Sequence, residues 1–189
     1  MATRPTAKAA ASAQKATAPI KQSTRRVQPI VPLAPARSAA KAAQLSDFEG
    51  VRQLLSRYCA LIDHGKLVEL SELFHRKAIL SVSFDSAQSH TGRDAILAWY
   101  TRFFRERPGT VRHPRHKIFE PCIVANGNTV TASTYFDSDF VEPTGDVRVL
   151  AGRYDDVLIK ERGRWFFKVR TITVCYHYSP GKGEEGMAP

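Results

Sequence analysis

The chain reads as an α+β protein in which three N-terminal helices pack on one curved antiparallel sheet around a single pocket. Three observations predict this. Phe48, Val51, Leu55, Tyr58 and Ile62 recur at helical spacing. Everything after Pro114 alternates as long strands. Those strands are punctuated by turn signals at Asn126-Gly127 and Arg162-Gly163. Helices first and strands later gather the helices on one sheet face.

The first helix opens at a capping box, with Ser46 followed three residues later by Glu49. Leu54 joins its apolar stripe, and Gly65 ends it. A short second helix buries Leu67, Leu70, Leu73 and Phe74, and Ala78 to Phe84 reads as a strand. Gly92 precedes a third helix from about Arg93, which carries Ile96, Leu97, Tyr100, Phe103 and Phe104 and stops at Pro108-Gly109. Then come four strand runs: His116 to Val124, Thr129 to Val141, Val147 to Lys160 and Trp165 to Tyr176.

This folded part, residues 45 to 178, is flanked by two segments of another character. Residues 1 to 44 are rich in Ala, Pro, Ser, Thr and Lys and hold no aromatic residue. Such a composition buries too little surface to offset its chain entropy, so a disordered tail is expected. Residues 179 to 189 are expected to be a flexible C-terminus. The net charge of +10 divides unevenly. Residues 1 to 46 hold eight Lys/Arg and no acid, leaving 20 basic against 18 acidic residues for the rest. The basicity belongs mainly to the tail, not to a folded groove. Four readings of the tail stay open: a solvated arm, an organelle transit peptide, an arm for an acidic or nucleic-acid partner, and a docking motif around Val27 to Leu33.

No stretch approaches the ~18 to 20 apolar residues of a membrane span, and no apolar core of a secretory signal is present. A cytoplasmic protein without membrane partners is expected, with organelle targeting by the basic N-terminus left open. Cys59, Cys122 and Cys175 are odd in number, far apart and without a CxxC pair, which predicts neither a disulfide framework nor a zinc site. No dinucleotide, phosphate-loop or HExxH motif is present, so no cofactor and no metal are expected.

Strand alternation predicts which side chains share a face. A three-residue loop in the first hairpin would reverse the faces; a two-residue loop, at Asn126-Gly127 or at Gly127-Asn128, sets His116 across from Asp137 or Asp139. Tyr135, Ile118 and Cys122 then join them on a mixed polar and apolar face, the expected pocket wall. Phe119, Ile123, Val130, Phe136 and Phe140 form the other, apolar face, a buried sheet surface or a homodimer interface. In the second hairpin a two-residue loop sets Asp155 across from Arg170.

Several strings, in this order, resemble the SnoaL-like branch of the nuclear transport factor 2-like superfamily. They are Tyr58 through Asp63 to Gly65 with Leu73-Phe74, Thr91 to Ile96, Arg115-His116 eleven residues before Gly127, and Gly152 to Asp156 with Gly163 to Trp165 and Arg170. The resemblance covers residues 46 to 176. It implies a cone-shaped sheet with a pocket under the helices. The superfamily holds polyketide cyclases, scytalone dehydratase, ketosteroid isomerase, bile-acid dehydratases, dioxygenase β-subunits and many proteins of no known activity.

The dehydratase-type members are the most similar in residues. The resemblance places Tyr58, Asp63, His116, Asp139 and Arg170 in the catalytic set; Asp137, Tyr135, Ile118 and Trp99 are expected to line the pocket. The chain departs from the pattern at Lys77, where an acidic residue is usual before the first strand.

A histidine oriented by a carboxylate is a general base, and a tyrosine hydroxyl polarises a carbonyl or protonates a leaving group. These groups suit cofactor-free dehydration, isomerisation or cyclisation of a small, largely apolar, oxygenated cyclic molecule. Two other classes remain: a non-catalytic ligand-binding or dimerisation module, and a structural subunit of a larger assembly. A nucleic-acid site on the basic run Arg102 to Lys117 is weaker, because that run straddles a helix end and a loop.

Overall fold

In the computed structural model, which describes residues 37–106, 111–126 and 128–182, α1 (Arg37–Asp63) lies across the sheet and is followed by α2 (Leu67–Ser71). β1 (Phe74–Val82) and β2 (Ser89–Thr91) precede α3 (Arg93–Arg105). The strands β3 (Arg112–Ile118), β4 (Cys122–Asn126), β5 (Thr129–Val141), β6 (Asp146–Glu161) and β7 (Arg164–Lys182) complete the chain. The α+β architecture and its three helices agree with the sequence reading.

The first helix starts earlier than the capping box predicts. Ala39, Ala40, Ala42 and Ala43 are strong helix formers and carry the helix back to Arg37. Glu49 accepts a bond from Gln53 Nε2 at 2.7 Å within the helix instead of closing a box with Ser46. Residues 37 to 44, expected in the tail, are therefore helical; residues 1 to 36 lie outside the described residues. At the other end Gly65, with φ +64°, lets its own N–H reach the Ile62 carbonyl and the Lys66 N–H reach that of Leu61. This left-handed cap turns the chain sharply after Asp63.

The sheet is curved and unclosed, in the order β2-β1-β7-β6-β5-β3, with β4 also pairing β5. All pairs are antiparallel except β1 with β7, which is parallel. β7 runs on to Lys182, so residues 179 to 182, expected to be flexible, are strand. Val51, Leu55, Tyr58 and Ile62 of α1, Ile96, Trp99 and Tyr100 of α3, and Phe74, Leu80, Phe136, Tyr154, Leu158 and Phe167 of the sheet build the core.

Both expected hairpin loops hold two residues, since Asn126 pairs Thr129 and Glu161 pairs Arg164. The faces nevertheless differ from the simple count. Phe119 N–H bonds the Tyr135 carbonyl at 3.0 Å while Cys122 pairs Ser133. Glu120 and Pro121 thus oppose Thr134 alone, a bulge with a proline where no ladder donor is needed. His116 consequently pairs Ser138, not Asp137 or Asp139. In the second hairpin Lys168 is the extra residue, and Arg170 pairs Asp156 instead of Asp155. A third bulge faces the Ala151-Gly152 step. A Cβ on Gly152 would lie 2.2 Å from the Thr173 carbonyl and 2.8 Å from the Phe136 ring, so only glycine permits that close approach.

Candidate functional site

Between the helices and the inner face of the sheet lies a cavity that encloses about 60 Å³, or about 620 Å³ counted out to the solvent at its mouth. Aromatic rings dominate its walls: Tyr58 of α1, Trp99, Tyr100, Phe103 and Phe104 of α3, and Phe136, Phe140 and Tyr154 of the sheet. The polar side chains on the wall are the three tyrosines, Trp99, His116 and Ser138. No carboxylate, lysine or arginine lines it.

His116 is held by Asp63. The Asp63 carboxylate accepts the His116 backbone N–H at 2.9 Å and its Nδ1 at 2.5 Å. A carboxylate only accepts, so Nδ1 carries the proton and Nε2 of the neutral ring keeps its lone pair. The glycine cap of α1 brings this about, because Asp63 is the last helical residue before the turn. Both side chains are largely shielded, 15% and 19% exposed, which strengthens the pair relative to water.

Tyr58 and Tyr100 join their hydroxyls at 2.8 Å. Burial pushes the Tyr58 hydroxyl upward, while the charge of Arg170 and the bond with Tyr100 pull against it. Burial also holds Tyr100 and Tyr154 well above the usual phenol value. Trp99 stacks on Phe103 at 5.1 Å, and behind it His90 bonds Asp85 at 2.6 Å. That second His–Asp pair braces the wall.

The structure places the expected site residues in three locations. Tyr58, His116 and Trp99 line the cavity, and Asp63 stands behind His116. Ile118 is on the inner face but packs against the core beside the cavity. Asp137, Tyr135 and Asp139 are on the opposite face, which corrects the expectation that they share a wall with His116. Asp139 is bound there by Arg115 at 2.8 and 3.0 Å and by Lys117 at 2.6 Å. Tyr135 and Asp137 line a shallow outer groove with Phe119, Ala151, Gly152, Cys175 and Tyr176. The face expected to be purely apolar, with Phe136 and Phe140, is the one that lines the cavity.

Arg170 does not reach the cavity. It is fully buried, and Nε and Nη2 each hold an Asp156 oxygen at 2.8 Å. Ser138 and Tyr100 are site residues the sequence reading missed. Pro121 was the signal for the first, since a bulge there swaps Ser138 for the aspartates. Tyr100 sat unremarked among the apolar residues of α3. Within the basic run, Arg115 and Lys117 are engaged by Asp139 and Arg102 by Glu106 at 3.9 Å, while residues 107 to 110 lie outside the described residues.

Among the described residues no group of three or more His, Cys, Asp or Glu side chains is placed to hold a metal ion. Among them, too, no helix is long and apolar enough to cross a membrane.

A curved open sheet, three helices and one aromatic cavity under them define a protein of the nuclear transport factor 2-like class. More narrowly, the chain belongs to the SnoaL-like domain family, whose pattern matches residues 43–171. Solved structures share the fold. One from Novosphingobium aromaticivorans, provisionally assigned as a scytalone dehydratase, has a TM-score of 0.63 and 19% identity over 79% of this chain and 99% of that one. A protein of Catenulispora acidiphila in complex with S-DNPA has a TM-score of 0.61 and 22% identity over 69% of this chain and 94% of the other. A nuclear transport factor 2-like protein with a cystatin-like fold from Novosphingobium aromaticivorans has a TM-score of 0.60 and 22% identity, covering 77% and 92%. No curated protein matches the chain. Members of the family include cofactor-free dehydratases and cyclases, and membership by itself assigns no activity.

Proposed function

We propose that the protein is a cofactor-free acid/base enzyme of the dehydratase, isomerase or cyclase type. Its substrate would be a small, largely apolar cyclic molecule bearing oxygen. The observation that carries this reading is the double hold of Asp63 on His116 at the wall of an aromatic cavity. His116 Nε2 is the base that takes a proton beside a carbonyl. The Tyr58 hydroxyl, backed by Tyr100, is the acid that donates to the carbonyl or departing oxygen. Ser138, across the strand pair from His116, supplies a further hydrogen bond. Rings stack on the aromatic walls, and the lack of a lining charge favours an uncharged ligand.

A thermal-shift screen of the full chain against polycyclic phenols, steroids and hydroxy-ketones tests this. A ligand at 100 times its Kd adds about 2.7 kcal/mol to the native state. The reading expects a hit whose shift weakens in His116→Ala, followed by loss of water or a double-bond shift in that compound. A screen in which nothing shifts either folded protein would sink it.

One feature favours a second property, self-association through the outer sheet face. Phe119, Tyr135, Tyr176 and Tyr178 stand 51–61% exposed there, more aromatic surface than an isolated sheet usually leaves to water. Sedimentation equilibrium of the wild type and of Tyr135→Arg decides it. A wild-type dimer that the substitution dissociates supports the reading, and a monomeric wild type ends it.

A further inference from the structure

Arg170 lies behind the cavity wall, separated from it by the rings of Tyr58 and Tyr154. Its guanidinium carbon is 4.0 Å from the Tyr58 ring centroid, 4.3 Å from that of Tyr154 and 4.0 Å from that of Phe167. Asp156 satisfies Nε and Nη2, but Nη1 is buried with no hydrogen-bond partner. A buried cation stacked against three rings is costly to desolvate, and a leucine or methionine would fill the space at less cost. The sheet holds it there through the bulge at Lys168, which brings Arg170 opposite Asp156.

We propose that Arg170 is a positioning residue that acts through Tyr58, making its hydroxyl a stronger hydrogen-bond donor to an oxygen that gains negative charge in the cavity. This rests on the acid role given to Tyr58 above. The geometry is directional. Arg170 lies over the Tyr58 ring, while its counter-ion Asp156 binds only the Nε–Nη2 edge of the guanidinium and leaves Nη1 unpaired. Part of the cation's charge is thus left without a counter-ion beside the Tyr58 ring, where it pulls against burial at the hydroxyl. As Tyr58 donates to the ligand, Tyr100 O–H donates in turn to the Tyr58 oxygen, so the charge is spread over the hydroxyl pair and the cation behind it. The same three-ring stack fixes the orientation of the Tyr58 ring. Arg170 never touches the substrate, and its effect appears only where charge develops.

The test uses a naphthol series in which ring fluorines lower the phenol pKa stepwise at nearly constant shape. Binding to the full chain is followed by quenching of protein fluorescence. In the wild type, affinity is expected to rise steeply as the naphthol becomes more acidic. In Arg170→Met/Asp156→Leu, which removes the buried pair as a unit, neutral naphthols should bind as before. The most acidic should lose about tenfold, the equivalent of one pKa unit. If that variant does not fold, Arg170→Gln/Asp156→Asn keeps the shape of the pair without its charge and carries the same expectation. An equal loss across the series would show a merely structural role and overturn the proposal, as would an unchanged slope. A wild type that binds no naphthol would instead overturn the acid role of Tyr58 on which the proposal stands.

Discussion

Asp63 and His116 are 53 residues apart, yet one carboxylate holds both the backbone N–H and the ring Nδ1 of that histidine. The backbone bond fixes where β3 begins to pass α1, and the ring bond fixes the tautomer. A single side chain thus sets the position and the protonation pattern of the proposed base.

Replacing Asp63 should separate these two jobs. Asp63→Asn keeps one acceptor oxygen but no longer stabilises a charged imidazole, and it should lower kcat/KM by roughly 10²- to 10⁴-fold with little change in melting temperature. Asp63→Ala leaves a shielded N–H without a partner and should also cost about 1–3 kcal/mol of stability. Steady-state kinetics on the compound found by screening and thermal unfolding together check the pair. Wild-type activity in Asp63→Asn would remove His116 from the mechanism.

The buried pair of Arg170 and Asp156 predicts a strong asymmetry between single and double replacement. Asp156→Leu alone strands a buried guanidinium and should destabilise by about 3–5 kcal/mol. Adding Arg170→Met should restore most of that loss, because both charges then leave the core together. Urea unfolding of the three proteins measures it, and additive losses would contradict it.

Asp139 and Asp85 predict the acid limit of stability. Burial works against the charge of Asp139, but the bonds from Arg115 and Lys117 outweigh it and hold the carboxyl below its usual range. The bond from His90, and then the Ala87 N–H, do the same for Asp85. A carboxyl depressed in the folded state contributes fully above its unfolded value of about 3.9, and the contribution fades as pH falls through the lower folded value. The melting temperature should therefore drop steeply below about pH 4. Asp139→Asn should flatten that drop, and an unchanged slope in the variant would refute the assignment.

The three cysteines should divide by reactivity. Burial pushes the Cys59 thiol up to about 11, so it carries almost no thiolate near neutral pH. Cys122 and Cys175 are exposed. Maleimide counting at neutral pH should give two thiols promptly and the third only in denaturant. Prompt labelling of Cys59 in the native protein would mean that α1 opens readily.

Gly152→Ala should be among the most damaging small substitutions. The new methyl group would meet the Thr173 carbonyl and the Phe136 ring, so strands or ring must shift, at about 1–3 kcal/mol. Phe136 also lines the cavity, so ligand affinity should fall with stability. Thermal unfolding and the binding screen read both.

The sequence by itself determined the class of fold, the places of both hairpin turns and the apolar stripe of α1, and its family resemblance singled out Tyr58, Asp63 and His116. Those features are local: helical spacing, a glycine after Asp63 and turn residues between alternating runs act over a few positions. Only the tertiary structure decided which polar side chains face the cavity. Strand side chains have a period of two, so one extra residue reverses every later assignment. The bulge at Glu120-Pro121 sends Asp139 and Asp137 outward and brings in Ser138, and the bulge at Lys168 gives Arg170 to Asp156. A bulge forms where the curved sheet must bend over its core, and that bend is set by long-range packing against α1 and α3 rather than by the residues of the strand alone.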